Sequence, residues 1–415
     1  MEYGCIAQKL GHSFSQDIHA RIDSYDYVLR EVPKAELHEF MTRRAFKGIN
    51  VTIPYKQDVI PYLDQISETA KTIGAVNTIR CVDGKLYGYN TDFGGMTALL
   101  RRMGLSLEDK KVLILGTGGT SKTAMAVANA LGAAQVVRVS RTAREGAVTY
   151  EQAYAVHTDA QIILNTTPSG MYPQIDGCPI CLDAFDRLEG VMDAIYNPLR
   201  TNLVLDAQQR GLKAEGGLFM LIAQAILAAE IFTGKTYEPS LAESIYNALL
   251  REKENLVLIG MPASGKTTIG RAAAEKLGRP FLDLDDAITK MDGRPIPQIF
   301  REDGEAFFRD LETKAVREAA AQTGQVIATG GGCILRQENV RLLRMNGKCI
   351  LLDRPLDALL PTQDRPTADS VQKIKALYRT RAPFYRAAAD AVAAVGDSTQ
   401  DNIDRTVRLF TEGIV

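Results

Sequence analysis

The chain of 415 residues has no tryptophan, only four histidines, and six cysteines spread over positions 5, 81, 178, 181, 333 and 349. That spread excludes a disulfide-stapled scaffold, and it excludes a zinc site built from repeated Cys and His pairs. Cys178 and Cys181 form one CxxC, but without a second pair or a nearby His they read as two thiols in a loop, which suits a reducing cytoplasm. Long apolar runs are also missing. The most apolar stretch, Leu218 to Phe232, is interrupted by Gln224 and Glu230 and is too short to span a bilayer, so a buried helix is expected there. The start, MEYGCIAQKLGHSF, lacks the basic segment and apolar core of a secretory signal. A formal net charge of −1 provides no global field to draw in nucleic acid or anionic lipid, so any anion site must be local. The expected setting is cytoplasmic and the expected partners are small-molecule substrates, with no nucleic acid, no membrane, and a homo-oligomer left open.

At about 150 residues per domain, the length corresponds to roughly three domains. Two apolar strand-like runs, Lys111 to Gly116 (KVLILG) and Asn255 to Gly260 (NLVLIG), each lead into a glycine-rich turn and a helical pattern. Each reads as the opening of a parallel α/β unit. Between them, QIILNTTPSG and GVMDAIYNP are short apolar runs stopped by Gly, Pro and Asn, as strands ending over a ligand crevice would be. The charged stretch 251–254 is the expected linker.

The first turn, Gly116 to Ser121 (GTGGTS), places Gly116, Gly118, Gly119 and Thr120 where backbone amides can approach a pyrophosphate at a helix N-terminus. The next strand ends in Ser140, Arg141, Thr142 and Arg144, where an NAD site would want an acidic residue. Cationic groups there favour a 2′-phosphate and hence NADP(H). The same stretch imitates a P-loop, but Ser121 stands where glycine should precede the lysine, so it is read as dinucleotide binding only.

The motifs Gly11–His19 (GHSFSQDIH), Gly48–Val59 (GINVTIPYKQDV), Ile73–Thr78 (IGAVNT), Gly88–Gly95 (GYNTDFGG), Asn165–Met171 (NTTPSGM) and Gly216–Ala225 (GGLFMLIAQA), in this order, resemble the shikimate dehydrogenase family. The resemblance implies an N-terminal α/β substrate domain over 1–95, completed by 218–250, and a Rossmann-type NADP domain over 96–217. It makes Lys56 the catalytic lysine and Asp92 its partner, which suits a reaction in which a ketone oxygen gains or loses a proton. It places Ser13, Ser15, Thr52, Asn77, Tyr196 and Gln224 on the substrate and Gly217 on the cofactor. Gln16, Ala20 and Ser140 depart from the family's usual Pro, Asn and Asn, and the span from Arg141 to Arg144 is one residue short. Tuned affinity is expected from these changes.

The second turn, Gly260 to Thr267 (GMPASGKT), is a full P-loop pattern after a strand and before a helix. Gly260, Pro262, Ala263, Ser264 and Gly265 would cradle phosphates, Lys266 would neutralise them, and the Thr267 hydroxyl would hold Mg²⁺ beside ATP. Downstream, Phe281–Ile288 (FLDLDDAI), Gly304–Glu312 (GEAFFRDLE), Val326–Gly332 (VIATGGG), Asp364–Pro366 (DRP) and Arg381–Tyr385 (RAPFY) resemble shikimate kinase. This implies a P-loop, NMP-kinase-like parallel α/β domain over 255–415. Asp283 would support the metal, Asp285 would face the acceptor hydroxyls, and Arg309 and Arg381 would clamp a carboxylate beside Gly331. Arg365 would stabilise the transferring phosphoryl from a lid that is shorter than the family's, with Leu360 and Pro361 near the place of its adenine-stacking arginine.

Taken together, the chain is expected to reduce 3-dehydroshikimate with NADPH and then to phosphorylate shikimate. One rival reading changes the substrate, to a quinate-type dehydrogenase or a kinase for another polyol acid, and a second makes the kinase half a module that binds its ligand but phosphorylates it poorly.

Overall fold

The computed structural model describes residues 2–10, 14–359 and 370–412. The chain divides into two compact units, Met1–Tyr246 and Asn247–Val415. The helix Leu241–Lys253 carries the backbone through this boundary, so residues 251–253, expected as part of a linker, are its last turn.

The first unit holds two sheets. Strands β1 (Tyr3–Ala7), β2 (Tyr27–Glu31), β3 (Gly48–Val51), β4 (Gln65–Ile66), β5 (Thr78–Val82) and β6 (Lys85–Tyr89) form a mixed sheet in the order β2-β1-β3-β5-β6-β4. Here β1 runs parallel to β2 and β3, whereas β5 is antiparallel to β3 and β6. Its core gathers Ile6, Met41, Ile49, Val51, Tyr55, Ile79 and Leu86, all nearly inaccessible.

Strands β7 (Lys111–Leu115), β8 (Gln135–Ser140), β9 (Val148–Thr149), β10 (Ile162–Asn165), β11 (Gly190–Asp193) and β12 (Lys213–Glu215) form the second sheet, parallel throughout, in the order β12-β11-β10-β7-β8-β9. Apolar residues fill both faces of the central strands because helices cover both sides, which is why KVLIL reads as a continuous run and not as an alternation. The chain leaves β7 towards one edge and later returns to the other side at β10. This reversal opens a crevice at the carboxyl ends of β7 and β10, the place where such sheets bind nucleotides.

The apolar helix Leu218–Thr233 is buried, as its composition predicts, and presses on the helix Asp92–Arg102. The approach is close enough that a Cβ on Gly95 would meet the Met220 carbonyl oxygen at 2.6 Å. Asp92 on one helix and Gln224 on the other are thereby fixed near each other's level, although both are polar groups in a mostly apolar layer.

The second unit is built on one parallel sheet of β13 (Asn255–Ile259), β14 (Phe281–Asp283), β15 (Val326–Ala328), β16 (Gly347–Asp353) and β17 (Ala391–Ala394), ordered β14-β15-β13-β16-β17. Strand β13 is fully buried, and its carboxyl end delivers the chain into the second glycine-rich turn. Among the described residues, no helix of either unit is long and apolar enough to cross a membrane.

Candidate active sites

In the first unit a cleft of about 1360 Å³ lies over the parallel sheet. Its floor is the turn after β7. Gly116 has φ +111, and a Cβ there would strike the Thr166 hydroxyl at 2.8 Å. Only glycine meets both constraints. Gly118 has no atom within 4 Å of where a Cβ would stand, and it leads into the helix Gly119–Ala130. The turn thus offers an open approach to the amides and the positive end of a helix, which fits a pyrophosphate. Thr120, Ser140, Arg141, Thr142 and Arg144 line the same cleft. Both arginines are exposed, and Arg144 donates to the Thr117 hydroxyl at 3.2 Å, so the shortened span still brings it back over the turn. Two guanidinium groups beside the strand end fit the 2′-phosphate of NADP(H). Gly217 does not line this cleft; its amide donates to the Ile195 carbonyl, and a Cβ would collide with the Ala194 carbonyl oxygen at 2.3 Å.

Lys56 stands in the cleft wall opposite the turn, and its Nζ meets Asp92 Oδ2 at 2.5 Å with both side chains largely shielded. Beneath this pair, Asn77 donates to the Thr91 hydroxyl at 3.0 Å and to Gln224 Oε1 at 3.4 Å. Thr52 lies at the end of β3, with its amide on the Ile6 carbonyl. Ser15 opens the helix Ser15–Ile22, and Phe14 just before it packs on Tyr196 at 5.4 Å between ring centres. Ser13 lies outside the described residues. Cys178 and Cys181 are exposed, with their sulfurs beside Asp206 and Asp183 respectively, and no disulfide forms among the described residues.

Asp193, at the end of β11, went unnoticed in the sequence. It is wholly buried, accepting from Asn165 Nδ2, the Ile195 amide and the Thr201 hydroxyl. Burial pushes its carboxyl up to about 7 despite these three donors.

In the second unit the turn after β13 is tightly wound. Gly260 has φ +148 and Gly265 has φ +97, while Ala263, a non-glycine residue, is held at φ 64. Strain of this kind persists where surroundings over-determine the backbone, as a phosphate cradle requires. The Ser264 hydroxyl is buried without a hydrogen-bond partner among the described residues, and Lys266 Nζ rests on the carbonyls of Gly260 at 2.9 Å and Met261 at 2.8 Å. Thr267 donates to Asp283 Oδ2 at 2.7 Å, and the other oxygen of Asp283 caps the helix Leu284–Asp292 through the Asp285 amide. A hydroxyl braced by a carboxylate at the first turn of the helix Lys266–Leu277 fits Mg²⁺ carried in on ATP phosphates. Among the described residues, no cluster of His, Cys, Asp or Glu could hold a metal by itself.

A pocket of about 500 Å³ abuts this turn, lined by Pro262, Asp285, Arg309, Glu312, Gly331 and Arg381, among others. Arg381 Nη1 and the Tyr385 hydroxyl both donate to the Gly331 carbonyl, at 3.0 and 2.5 Å, and a Cβ on Gly331 would press Pro262 at 2.9 Å. Arg309 binds Glu312 at 2.8 Å and Glu305 at 3.1 Å. Glu312, not assigned from the sequence, is almost inaccessible, and burial lifts its carboxyl above the usual range against the pull of Arg309. Its spacing of three residues from Arg309 on one helix was the available signal. Arg365 lies outside the described residues.

These geometries define a dinucleotide-dependent dehydrogenase followed by a P-loop phosphotransferase. Residues 5–79 match the shikimate dehydrogenase substrate binding domain, and residues 262–411 match the family model of shikimate kinase. A shikimate dehydrogenase (NADP(+)) of Clostridium beijerinckii is 38% identical over 268 residues, covering 60% of this chain and 98% of that protein. The crystal structure of shikimate dehydrogenase 1 from Peptoclostridium difficile superposes with a TM-score of 0.56 at 34% identity, over 60% of this chain and 98% of that one. The Thermus thermophilus shikimate 5-dehydrogenase in complex with NADP(H) and shikimate gives 0.54 at 29%, over 60% and 99%. The chain belongs to the shikimate dehydrogenase family and carries a shikimate kinase domain behind it.

Proposed function

We propose that one polypeptide catalyses two consecutive steps, the NADPH-dependent reduction of 3-dehydroshikimate to shikimate and the MgATP-dependent phosphorylation of shikimate to shikimate 3-phosphate. The observation that carries this reading is that each glycine-lined turn adjoins its own set of catalytic-type groups: Lys56 with Asp92 in one unit, Asp285 with Arg309 and Arg381 in the other. When bound, NADPH supplies the hydride and MgATP the phosphoryl group.

In the first unit Lys56 passes a proton to the carbonyl oxygen as it becomes an alcohol, and recovers one in the reverse direction, while Asp92 holds the ammonium in place. Asn77 and Gln224, with Ser13, Ser15, Thr52 and Tyr196, bind the carboxylate and hydroxyls of the ring, for which short amide and hydroxyl groups are suited. The guanidinium groups of Arg141 and Arg144 select the phosphorylated ribose.

In the second unit Asp285 orients the attacking hydroxyl and takes its proton, and Lys266 exchanges its carbonyl partners for phosphate oxygens. Arg309 has one partner it can exchange and one it keeps. Its contact with the exposed Glu305 is worth at most about 1 kcal/mol, whereas separating it from the buried Glu312 would cost about 3–5 kcal/mol. A substrate carboxylate therefore displaces Glu305 and leaves Glu312 as the anchor, with Arg381 closing the clamp against Gly331. Arg365 stabilises charge on the transferring group.

Supplying 3-dehydroshikimate, NADPH and MgATP to the full chain tests both halves at once by mass spectrometry. The expected product is shikimate 3-phosphate, one for each NADPH oxidised. Shikimate accumulating without phosphate sinks the kinase half, and NADPH that is not consumed sinks the dehydrogenase half.

A further inference from the structure

Under the proposed substrate pocket of the first unit lies a polar layer in which each side-chain amide has one orientation that satisfies its neighbours. Tyr27 donates to Asn50 Oδ1 at 2.6 Å, which turns the Asn50 amide nitrogen inward. That nitrogen reaches the Thr78 hydroxyl at 3.1 Å and the Asn77 main-chain carbonyl at 3.3 Å. With a donor already on its oxygen, Thr78 directs its own proton to Asn77 Oδ1 at 3.1 Å. The Thr91 amide donates to the same oxygen at 2.7 Å.

Pinned from two sides, the Asn77 carbonyl oxygen cannot exchange places with its nitrogen. The nitrogen faces the Thr91 hydroxyl and, at the longer distance of 3.4 Å, Gln224 Oε1. Gln224 is itself oriented, because its nitrogen donates to the Leu221 carbonyl at 2.8 Å. The Thr91 hydroxyl stands 3.3 Å from both Gln224 Oε1 and Asn77 Oδ1 and has an acceptor for its proton in either. In this assignment each side-chain proton that faces the layer has an acceptor, the condition under which a buried polar network fixes one arrangement.

Thr78 is the centre of this layer. It is wholly inaccessible and touches Asn50, Asn77 and Thr91 through a single hydroxyl. We propose that Thr78 is a positioning residue of the dehydrogenase: its hydroxyl, oriented by Tyr27 through Asn50, holds the Asn77 amide with its nitrogen towards Thr91 and Gln224. The proposal rests on the reading of Asn77 as a substrate contact. It predicts that losing the hydroxyl leaves the Thr91 amide as the one main-chain donor on Asn77 Oδ1 and strands the Asn50 amide nitrogen, so that Asn77 is held less firmly where the substrate meets it.

The test is steady-state oxidation of shikimate with NADP⁺ by the full chain, comparing Thr78→Val, Thr78→Ser and Asn77→Ala, with NADPH binding followed by fluorescence as a measure that the unit is folded. Thr78→Val keeps the shape and removes the hydroxyl. It should raise KM for shikimate about tenfold, equivalent to about 1.4 kcal/mol, with a smaller change in kcat and unchanged NADPH affinity. Thr78→Ser should bring KM back to within about threefold of wild type. A Thr78→Val enzyme with wild-type KM overturns the proposal if Asn77→Ala raises KM, because the substrate contact then stands without its positioning residue. If Asn77→Ala also leaves KM unchanged, the underlying reading of the pocket fails with it. Should Thr78→Val no longer bind NADPH, Tyr27→Phe carries the test from the far end of the layer, with an expected rise in KM of about threefold; an unchanged KM there likewise counts against the proposal.

Discussion

In the first unit the Lys56 ammonium is held by Asp92, the partner proposed to keep it in place for proton transfer, and the amides beneath it bond to one another. In the second unit the cationic groups have other kinds of partner: Lys266 the carbonyls of Gly260 and Met261, and Arg309 the exposed Glu305 as well as the buried Glu312. The groups proposed for the dehydrogenase are paired with one another, whereas those proposed for the kinase are paired with main-chain carbonyls and neighbouring carboxylates. Proton transfer to a carbonyl oxygen demands a fixed donor at one atom, and a preformed pair meets that demand. Phosphoryl transfer involves several negative charges, and a buried cation that meets them also needs polar oxygens around it.

The largest effects that sharpen this contrast come from the two lysines. Lys56→Ala should lower shikimate oxidation by about 10²–10⁴-fold and leave shikimate phosphorylation at its wild-type rate. Loss of both activities would break the idea of two self-sufficient units. Conversely, Lys266→Ala should lower phosphorylation by about 10²–10³-fold, measured by coupled ADP release, while NADPH oxidation continues unchanged. A kinase rate that survives this change would remove Lys266 from the phosphate cradle.

A smaller effect is expected at the nucleotide ribose. Arg141→Asp should shift the ratio of kcat/KM for NADP over NAD by about 10- to 100-fold towards NAD, the range set by losing one charge-assisted contact of about 1.5–3 kcal/mol. An unchanged ratio would assign the 2′-phosphate to Arg144 instead.

A separate effect, on stability and not on activity, is expected at Asp193. Unfolded Asp193 releases its proton near pH 4, while the folded residue keeps it to about 7, so the folded state binds more protons between those values. Stability of the first unit should therefore fall as pH rises through that window, by on the order of 1 kcal/mol per pH unit from this group, and level off above it. Asp193→Asn keeps the shape and can donate to Thr201, so urea midpoints at pH 5 and pH 7.5 should lie closer together in the variant than in wild type. An equal separation would show that Asp193 is already ionised across the range.

How much of this was legible in the sequence depended on how local each site is. The phosphate cradle was readable because Gly260, Gly265, Lys266 and Thr267 come from one strand, one turn and one helix, and their spacing alone carries the chemistry. The parallel sheets were readable for the same reason, since KVLIL and NLVLI are continuous apolar runs ahead of glycine turns. Lys56 and Asp92 lie 36 residues apart, and only family resemblance paired them. Tyr27, Asn50 and Thr78 gave no signal, because their importance arises where β2, β3 and β5 bring them side by side, and a buried polar layer has no period along the chain. Asp193 was hidden likewise inside an apolar strand.

The uninterrupted helix Leu241–Lys253 bears on any attempt to divide this protein into its two activities. Tyr246 lies 4.2 Å from the Arg102 guanidinium and 5.7 Å from the Phe219 ring, so the first unit needs the helix's front half as an anchor. The division between units comes one residue later, and Leu249 in the back half is wholly inaccessible. Cutting at that point severs i→i+4 hydrogen bonds on both sides and leaves each fragment with a frayed stump. Stable single-activity fragments would therefore have to overlap, each ending or beginning with its own copy of residues 241–253.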